Sequence, residues 1–202
     1  MPRRVSRVPS RADVRDIRPA RSKHDSTRGF LYPLDVAYAR LGLSVPVARR
    51  IAPDRIPSPY RTLLAHEGEM TRMLERHFGE PLVIRVLTRW SHGRWYFRRS
   101  LLARVRSGAP VAMGMIRLRL DIFSPRLRAR VVRGDAPLGR LLRNERFEYR
   151  SEPRAFFEIT PNVEMLGVFW MPRSRLLYGR QTALTVGGAT IGTIIEVLRR
   201  VC

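Results

Sequence analysis

The chain has 202 residues, 44% of them apolar, and carries 39 Lys and Arg against 17 Asp and Glu, a net charge of +22. This is one domain's worth of sequence with enough apolar content for a core, and no apolar run reaches the roughly 18 to 20 residues of a membrane span. The only cysteine is Cys202, which excludes an internal disulfide or a cysteine-based zinc site and suits a reducing cytoplasm.

Met1 to Arg21 is Arg-rich with no apolar h-region, so it does not read as a secretory signal, and Asp13, Asp16 and Asp25 argue against a transit peptide. Residues 1–56 read as a basic, largely flexible extension. Its apolar pieces, Phe30 to Tyr32 and Leu41 to Val47, are interrupted by Pro33, Pro46 and Pro53 and drape over the domain without folding alone. Residues 57–202 read as the folded domain.

A helix is predicted from Pro59 to Phe78, with Ser58 as N-cap, Gly79 at the C-terminal stop, and Leu63, Leu64, Met70, Met73, Leu74 and Phe78 on one face. The period then changes to two. Val83 to Trp90, Arg94 to Arg106 and Val111 to Phe123 read as strands, with turns at Gly93 and Ser107 to Pro110, forming an antiparallel meander. Helical signals return in Ser124 to Val132 and Pro137 to Leu142. Strands follow at Phe147 to Ile159, Gly167 to Trp170, Arg175 to Val186 and Ala189 to Arg199, the last two joined by a tight turn at Gly187-Gly188. This order predicts an α+β fold: an antiparallel sheet of about six strands with helices and helical flaps on one side.

No G-x-S-x-G, Walker A, G-x-G-x-x-G or H-E-x-x-H signature is present. His24, His66, His77 and His92 are scattered and do not form a metal set. Trp90, Trp95 and Trp170 read as packing residues. The basic charge suits an anionic partner, yet no nucleic-acid motif accompanies it, so a small anion is the expected partner.

One residue stands out. Glu196 lies in the apolar run Thr193 to Leu198, where an unpartnered charge costs several kcal/mol, so it is paired, protonated or functional. A structural ion pair with one of the many arginines is one reading. Arg98, in the middle of Tyr96 to Leu102, is a candidate partner, with Arg99 not distinguished from it by composition.

Several segments, taken in order, resemble the chorismate pyruvate-lyase (4-hydroxybenzoate synthase) family, whose fold is shared with the ligand-sensing (UTRA) domains of some transcription regulators. The segments are Met70-Thr71-Arg72, Phe97 to Leu102, Pro137-Leu138-Gly139-Arg140, and Gly179-Arg180 with the final Glu196 strand. The resemblance implies that Arg98 holds the ring carboxylate of chorismate, that backbone N–H groups of Met70 and Leu138 complete that site, and that Glu196 faces the C4 hydroxyl from the opposite wall. It implies a cytoplasmic, monomeric carbon–oxygen lyase that needs no cofactor or metal and yields a hydroxybenzoate and pyruvate. The alternative of the same fold is a non-catalytic binder of a small carboxylate. Arg99 departs from the acidic residue usual after the family arginine, Arg143 to Tyr178 is longer than its equivalent, and residues 1–56 have no counterpart.

Overall fold

A computed structural model describes residues 29–199; the Arg-rich start and the last three residues, with Cys202, lie outside them. The period-two segments form the meander expected: β2 (Leu82–His92), β3 (Trp95–Arg104) and β4 (Pro110–Arg119), turning at Gly93 and Gly108. In β6 (Leu177–Val186) and β7 (Ala189–Leu198) the hairpin closes on Gly187 and Gly188, both at positive φ, as a two-residue turn between right-twisted strands demands. With β1 (Ala48–Ile51) and β5 (Arg150–Ile159) these make one seven-stranded antiparallel sheet, ordered β1-β5-β6-β7-β4-β3-β2.

The strand beyond the expected six is β1, and it comes from the segment read as an extension. β1 pairs with β5 from Ala48 opposite Ile159 to Ile51 opposite Phe156. Before it, α1 (Leu34–Arg40) buries Leu34, Ala37 and Tyr38 completely. Residues 30–56 therefore belong to the packed body of the domain, because the prolines interrupt secondary structure without preventing burial of the apolar residues between them.

The predicted 20-residue helix is two helices, α2 (Tyr60–Leu64) and α3 (Met70–Phe78), and Ser58 makes no capping bond to α2. Gly79 does end α3 in the left-handed conformation. Then α4 (Pro125–Arg133) starts at Ser124, whose Oγ accepts from Leu127 N–H at 3.2 Å, and α5 (Leu138–Asn144) follows Pro137. The predicted strand at Gly167 to Trp170 is instead the end of α6 (Val163–Val168), capped by the Asn162 side chain on Met165 N–H. Trp170 sits beyond it at φ 54° and is 53% exposed, so it is not a core residue.

Helices cover both faces of the sheet. On one face α1 and α6 pack Tyr38, Met165 and Phe169 against Phe97, Leu101, Met115, Ile195 and Val197. On the other, α2 and α3 pack over Leu82, Ala112 and Leu198, and α4 and α5 over Tyr96, Ile116, Leu118 and Leu184. Alternation along each strand divides the residues between the two layers. Between the two helix pairs of the second face the layer is incomplete, and there the sheet is open.

Candidate functional site

The opening is a cavity of about 730 Å³, counting its mouth, floored by β3, β4, β6 and β7 and walled by the starts of α3 and α5. Register explains why it exists. Ser100, Gly114, Glu196 and Arg180 lie in one row across the four strands, and Arg98, Ile116, Ile194 and Thr182 in the next row on the same face. Gly114 is the gap: a Cβ built there meets nothing closer than 4.0 Å, so the missing side chain leaves the middle of the floor open. Two strand spacings separate Arg98 from Glu196, roughly 10 Å across the sheet. Apolar groups of Ile84, Leu102, Ile116, Leu142, Leu184 and Ile194 line most of the remainder.

All four residues singled out from the sequence, Arg98, Glu196, Met70 and Leu138, border this cavity, the last two as the first residues of α3 and α5. Arg98 and Glu196 do not pair with each other. Arg99, the departure from the family's acidic residue, points through the opposite face of the sheet, with Nη1 2.8 Å from Glu164 Oε1. Tyr38 donates to the other oxygen of that carboxylate at 2.8 Å, so Arg99 ties α1 and α6 to the sheet. One residue of alternation decides which of the two arginines is in the cavity.

Glu196 has a partner the sequence reading did not single out. Arg180, 1% exposed, donates from Nε to Glu196 Oε2 at 2.7 Å. Its Nη1 donates to the carbonyls of Leu64 at 3.0 Å and His66 at 2.7 Å, and its Nη2 to Gly68 at 3.4 Å. These carbonyls belong to the last residue of α2 and to the link between α2 and α3. The guanidinium thus satisfies backbone acceptors that a continuous helix would have satisfied itself, at the place where the predicted helix is broken. His66 sits in the same link with Nε2 2.9 Å from Leu63 O. Burial, then the Arg180 charge, lowers its pKa below the ordinary 6.5.

Arg98 is the opposite case. It is 2% exposed, its Nη1 donates to Val131 O at 3.1 Å, and its Nε is buried with no acceptor. Among the described residues no carboxylate forms an ion pair with it. The carbonyl at the end of α4 offers only the partial negative charge of a helix C-terminus. Gly134, the left-handed residue ending α4, lets the chain turn away directly over Arg98: a Cβ there would lie 3.5 Å from Nη1 and 2.7 Å from Val86. Burial works against the Arg98 charge and lowers its pKa, with the neighbouring Tyr96 hydroxyl opposing that shift; a guanidinium remains charged all the same.

The mouth is framed by ion pairs between α3 and α5. Glu75 binds Arg140, and Glu69 binds Arg143 through Oε2. The second oxygen, Glu69 Oε1, is buried without a donor. Burial raises the Glu69 pKa above 4.5, with Arg143 acting against it. The Tyr149 hydroxyl, also on the cavity, is raised by burial and then by Glu69 and Glu196. Among the described residues there is no group of three or more His, Cys, Asp or Glu placed to hold a metal ion, and no helix is long and apolar enough to cross a membrane.

No family model matches the chain, and no curated protein does. Solved structures do. PhnF from Mycobacterium smegmatis superposes with a TM-score of 0.49 at 12% identity over 66% of this chain and 64% of that one. The ligand-binding domain of a protein assigned to the GntR-family transcriptional regulators of Bordetella bronchiseptica gives 0.42 at 13% identity, over 58% and 85%. A protein from Streptomyces coelicolor described as a transcriptional regulator gives 0.40 at 14%, over 58% and 86%. The expected carbon–oxygen lyase is corrected: Glu196, its expected catalytic group, is bonded to Arg180, and two of the structures named are described as a transcriptional regulator or the ligand-binding domain of one.

Proposed function

We propose that this domain is a non-catalytic binder of a small organic carboxylate, with Arg98 as the receiving group. One observation carries the reading: a buried guanidinium with an unused N–H, bordering a mostly apolar cavity and lacking a carboxylate partner among the described residues. A buried cation in this state is stabilised by an anion that enters from outside, and a carboxylate fits the planar fork with two parallel bonds. Met70 and Leu138 lie on the same cavity, and their main-chain N–H groups would complete the carboxylate's surroundings. The apolar lining takes the body of the ligand, and Glu196, held by Arg180, forms a fixed polar end wall.

Calorimetric titration with benzoate tests this. The parent protein binds benzoate, and Arg98→Met weakens binding about a hundredfold or more, given roughly 3 kcal/mol for two charge-assisted bonds. Arg98→Lys recovers part of the loss. Benzoate binding that is indifferent to Arg98→Met, or inorganic phosphate bound in preference to benzoate, overturns the reading.

A further inference from the structure

Exposed aliphatic side chains gather at the β1 edge of the sheet. Leu41, Leu43, Val45 and Val47 are 39%, 39%, 42% and 77% exposed, and Val163, the first residue of α6, is 86% exposed. The fold holds this strip in place. Leu43 N–H donates to Tyr38 O at 3.0 Å, Ser44 O accepts from the Asn162 amide at 2.8 Å, and Val47 O accepts from Thr160 N–H at 2.8 Å, while Pro46 is buried. These bonds set Leu43 to Val47 beside the start of α6, with the aliphatic side chains left to solvent. Single exposed apolar residues need no explanation, but a run of them held together by the fold marks an interaction surface.

Charge restricts what covers it. Arg40 precedes the strip, with its guanidinium 5.3 Å from the centre of the Trp90 ring, and Arg50 follows it, with Nη2 donating to Arg154 O at 3.1 Å; neither forms an ion pair among the described residues. The carboxylates at the flanks are occupied: Glu158 by Arg49 at 2.8 Å, and Glu164, next to Val163, by Arg99 and Tyr38. A second copy of the chain would set a net charge of +22 against +22 and bring these arginines toward their counterparts. Nucleic acid needs cations or aromatic faces at the centre of its site, and here the centre is aliphatic. An anionic lipid surface takes both parts, apolar side chains in the acyl boundary and cations at the phosphates.

We propose that Leu41 to Val47, with Val163, form a docking surface for a bilayer containing anionic phospholipid. The aliphatic side chains enter the headgroup boundary, Arg40 and Arg50 meet lipid phosphates, and the domain lies on the membrane without spanning it. α1 and α6 pack on the sheet face opposite the cavity, so this surface is independent of the carboxylate reading.

The test is co-sedimentation of the full chain with vesicles of phosphatidylcholine, with and without phosphatidylglycerol, in roughly 0.15 M salt, where exposed charges are screened beyond about 8 Å. A chain this basic is drawn to anionic lipid by charge alone, so the deciding variant keeps every charge: Leu43→Ser with Val45→Ser and Val47→Ser, all at exposed positions. Its partitioning falls about tenfold or more relative to the parent. Arg40→Gln with Arg50→Gln weakens binding about threefold or more, and only on vesicles that contain phosphatidylglycerol. Val47→Trp reads the same surface without depending on how the serine variant folds: its emission, compared with the parent's, moves to shorter wavelength when vesicles are added. A serine variant that binds as well as the parent, an unmoved Val47→Trp emission, or a parent that stays in the supernatant at millimolar lipid overturns the proposal. A parent dimer in analytical ultracentrifugation that the serine variant abolishes assigns the strip to a second copy and overturns it too. Duplex DNA of mixed sequence bound more tightly than vesicles, with affinity lost in the serine variant, assigns it to nucleic acid, with the same result.

Discussion

Arg180 and Glu196 face each other across neighbouring strands, Nε to Oε2 at 2.7 Å, and the same guanidinium holds three carbonyls at the end of α2 and in its link to α3. The bond fixes the far wall of the cavity to the chain that forms its rim. Glu196 thereby has its ionic partner on the adjacent strand, while Arg98 is buried on the same cavity with no carboxylate paired to it among the described residues.

Replacing Arg180 with Met is expected to destabilise the protein by about 2 to 4 kcal/mol, since it leaves the half-buried Glu196 carboxylate unpaired and backbone carbonyls without donors. Glu196→Gln keeps an acceptor for Nε and is expected to cost about 1 to 2 kcal/mol. The double variant Arg180→Met with Glu196→Leu should be more stable than Arg180→Met alone, because it removes the orphaned charge. Urea denaturation of the four proteins checks the ordering; an Arg180→Met midpoint equal to the parent's contradicts it.

Arg98 should behave inversely. Without ligand it is a buried charge with little compensation, so Arg98→Met is expected to leave the unfolding free energy unchanged or raise it by about 1 kcal/mol while abolishing benzoate binding. Thermal unfolding with and without benzoate separates the two effects. A large drop in melting temperature without ligand would show that Arg98 serves the fold.

Gly114 is expected to tolerate a side chain that the ligand does not. Gly114→Leu places its branch in the open floor, so the fold is retained and benzoate binding is lost. Gly179→Leu is the contrasting control. Its Cβ would lie 2.6 Å from Glu196 O and from the Phe157 ring, so this variant should fail to fold. Circular dichroism with titration distinguishes them.

The link between α2 and α3 should weaken in acid. The folded-state pKa of His66 is depressed below 6.5, by burial and then by the Arg180 charge, so the unfolded chain binds its proton first. The stability tied to neutral His66 is present above pH 6.5 and is lost as pH falls through the interval between 6.5 and the depressed value. Glu69, with its raised pKa, contributes in the opposite sense as pH rises above 4.5, so the comparison must be differential. His66→Gln is expected to flatten the pH 5 to 7 slope of the unfolding free energy relative to the parent. Parallel slopes would remove His66 from the account.

Local periodicity made the meander, the closing hairpin, α4 and α5 legible, because period two and helical spacing are written in adjacent residues. Glu196 stood out by its apolar strand, whereas Arg98 was set apart from Arg99 only by the family resemblance and not by the pattern of its own strand. Two long-range contacts lay beyond that reach. Residues 30–56 look like an extension until β5 offers an edge for β1 and the α1 face finds Phe157 and Phe97. The α2–α3 break is not marked by a proline, and carbonyls at it are met by a guanidinium more than a hundred residues later in the chain.

The partner of Glu196 shows the same boundary in one residue. A two-residue turn at Gly187-Gly188 pairs Val186 with Ala189 and Thr185 with Thr190; continued evenly, it sets Gly179 opposite Glu196 and turns Arg180 toward the face of Ile195. A bulge between Leu184 and Thr185 shifts the register by one, so Arg180 meets Glu196 instead. The sequence by itself determined that a lone carboxylate and several arginines lie in a half-buried antiparallel sheet. Only the tertiary structure decided which arginine neutralises Glu196, because a single unpaired residue in one strand sends every later side chain to the other face.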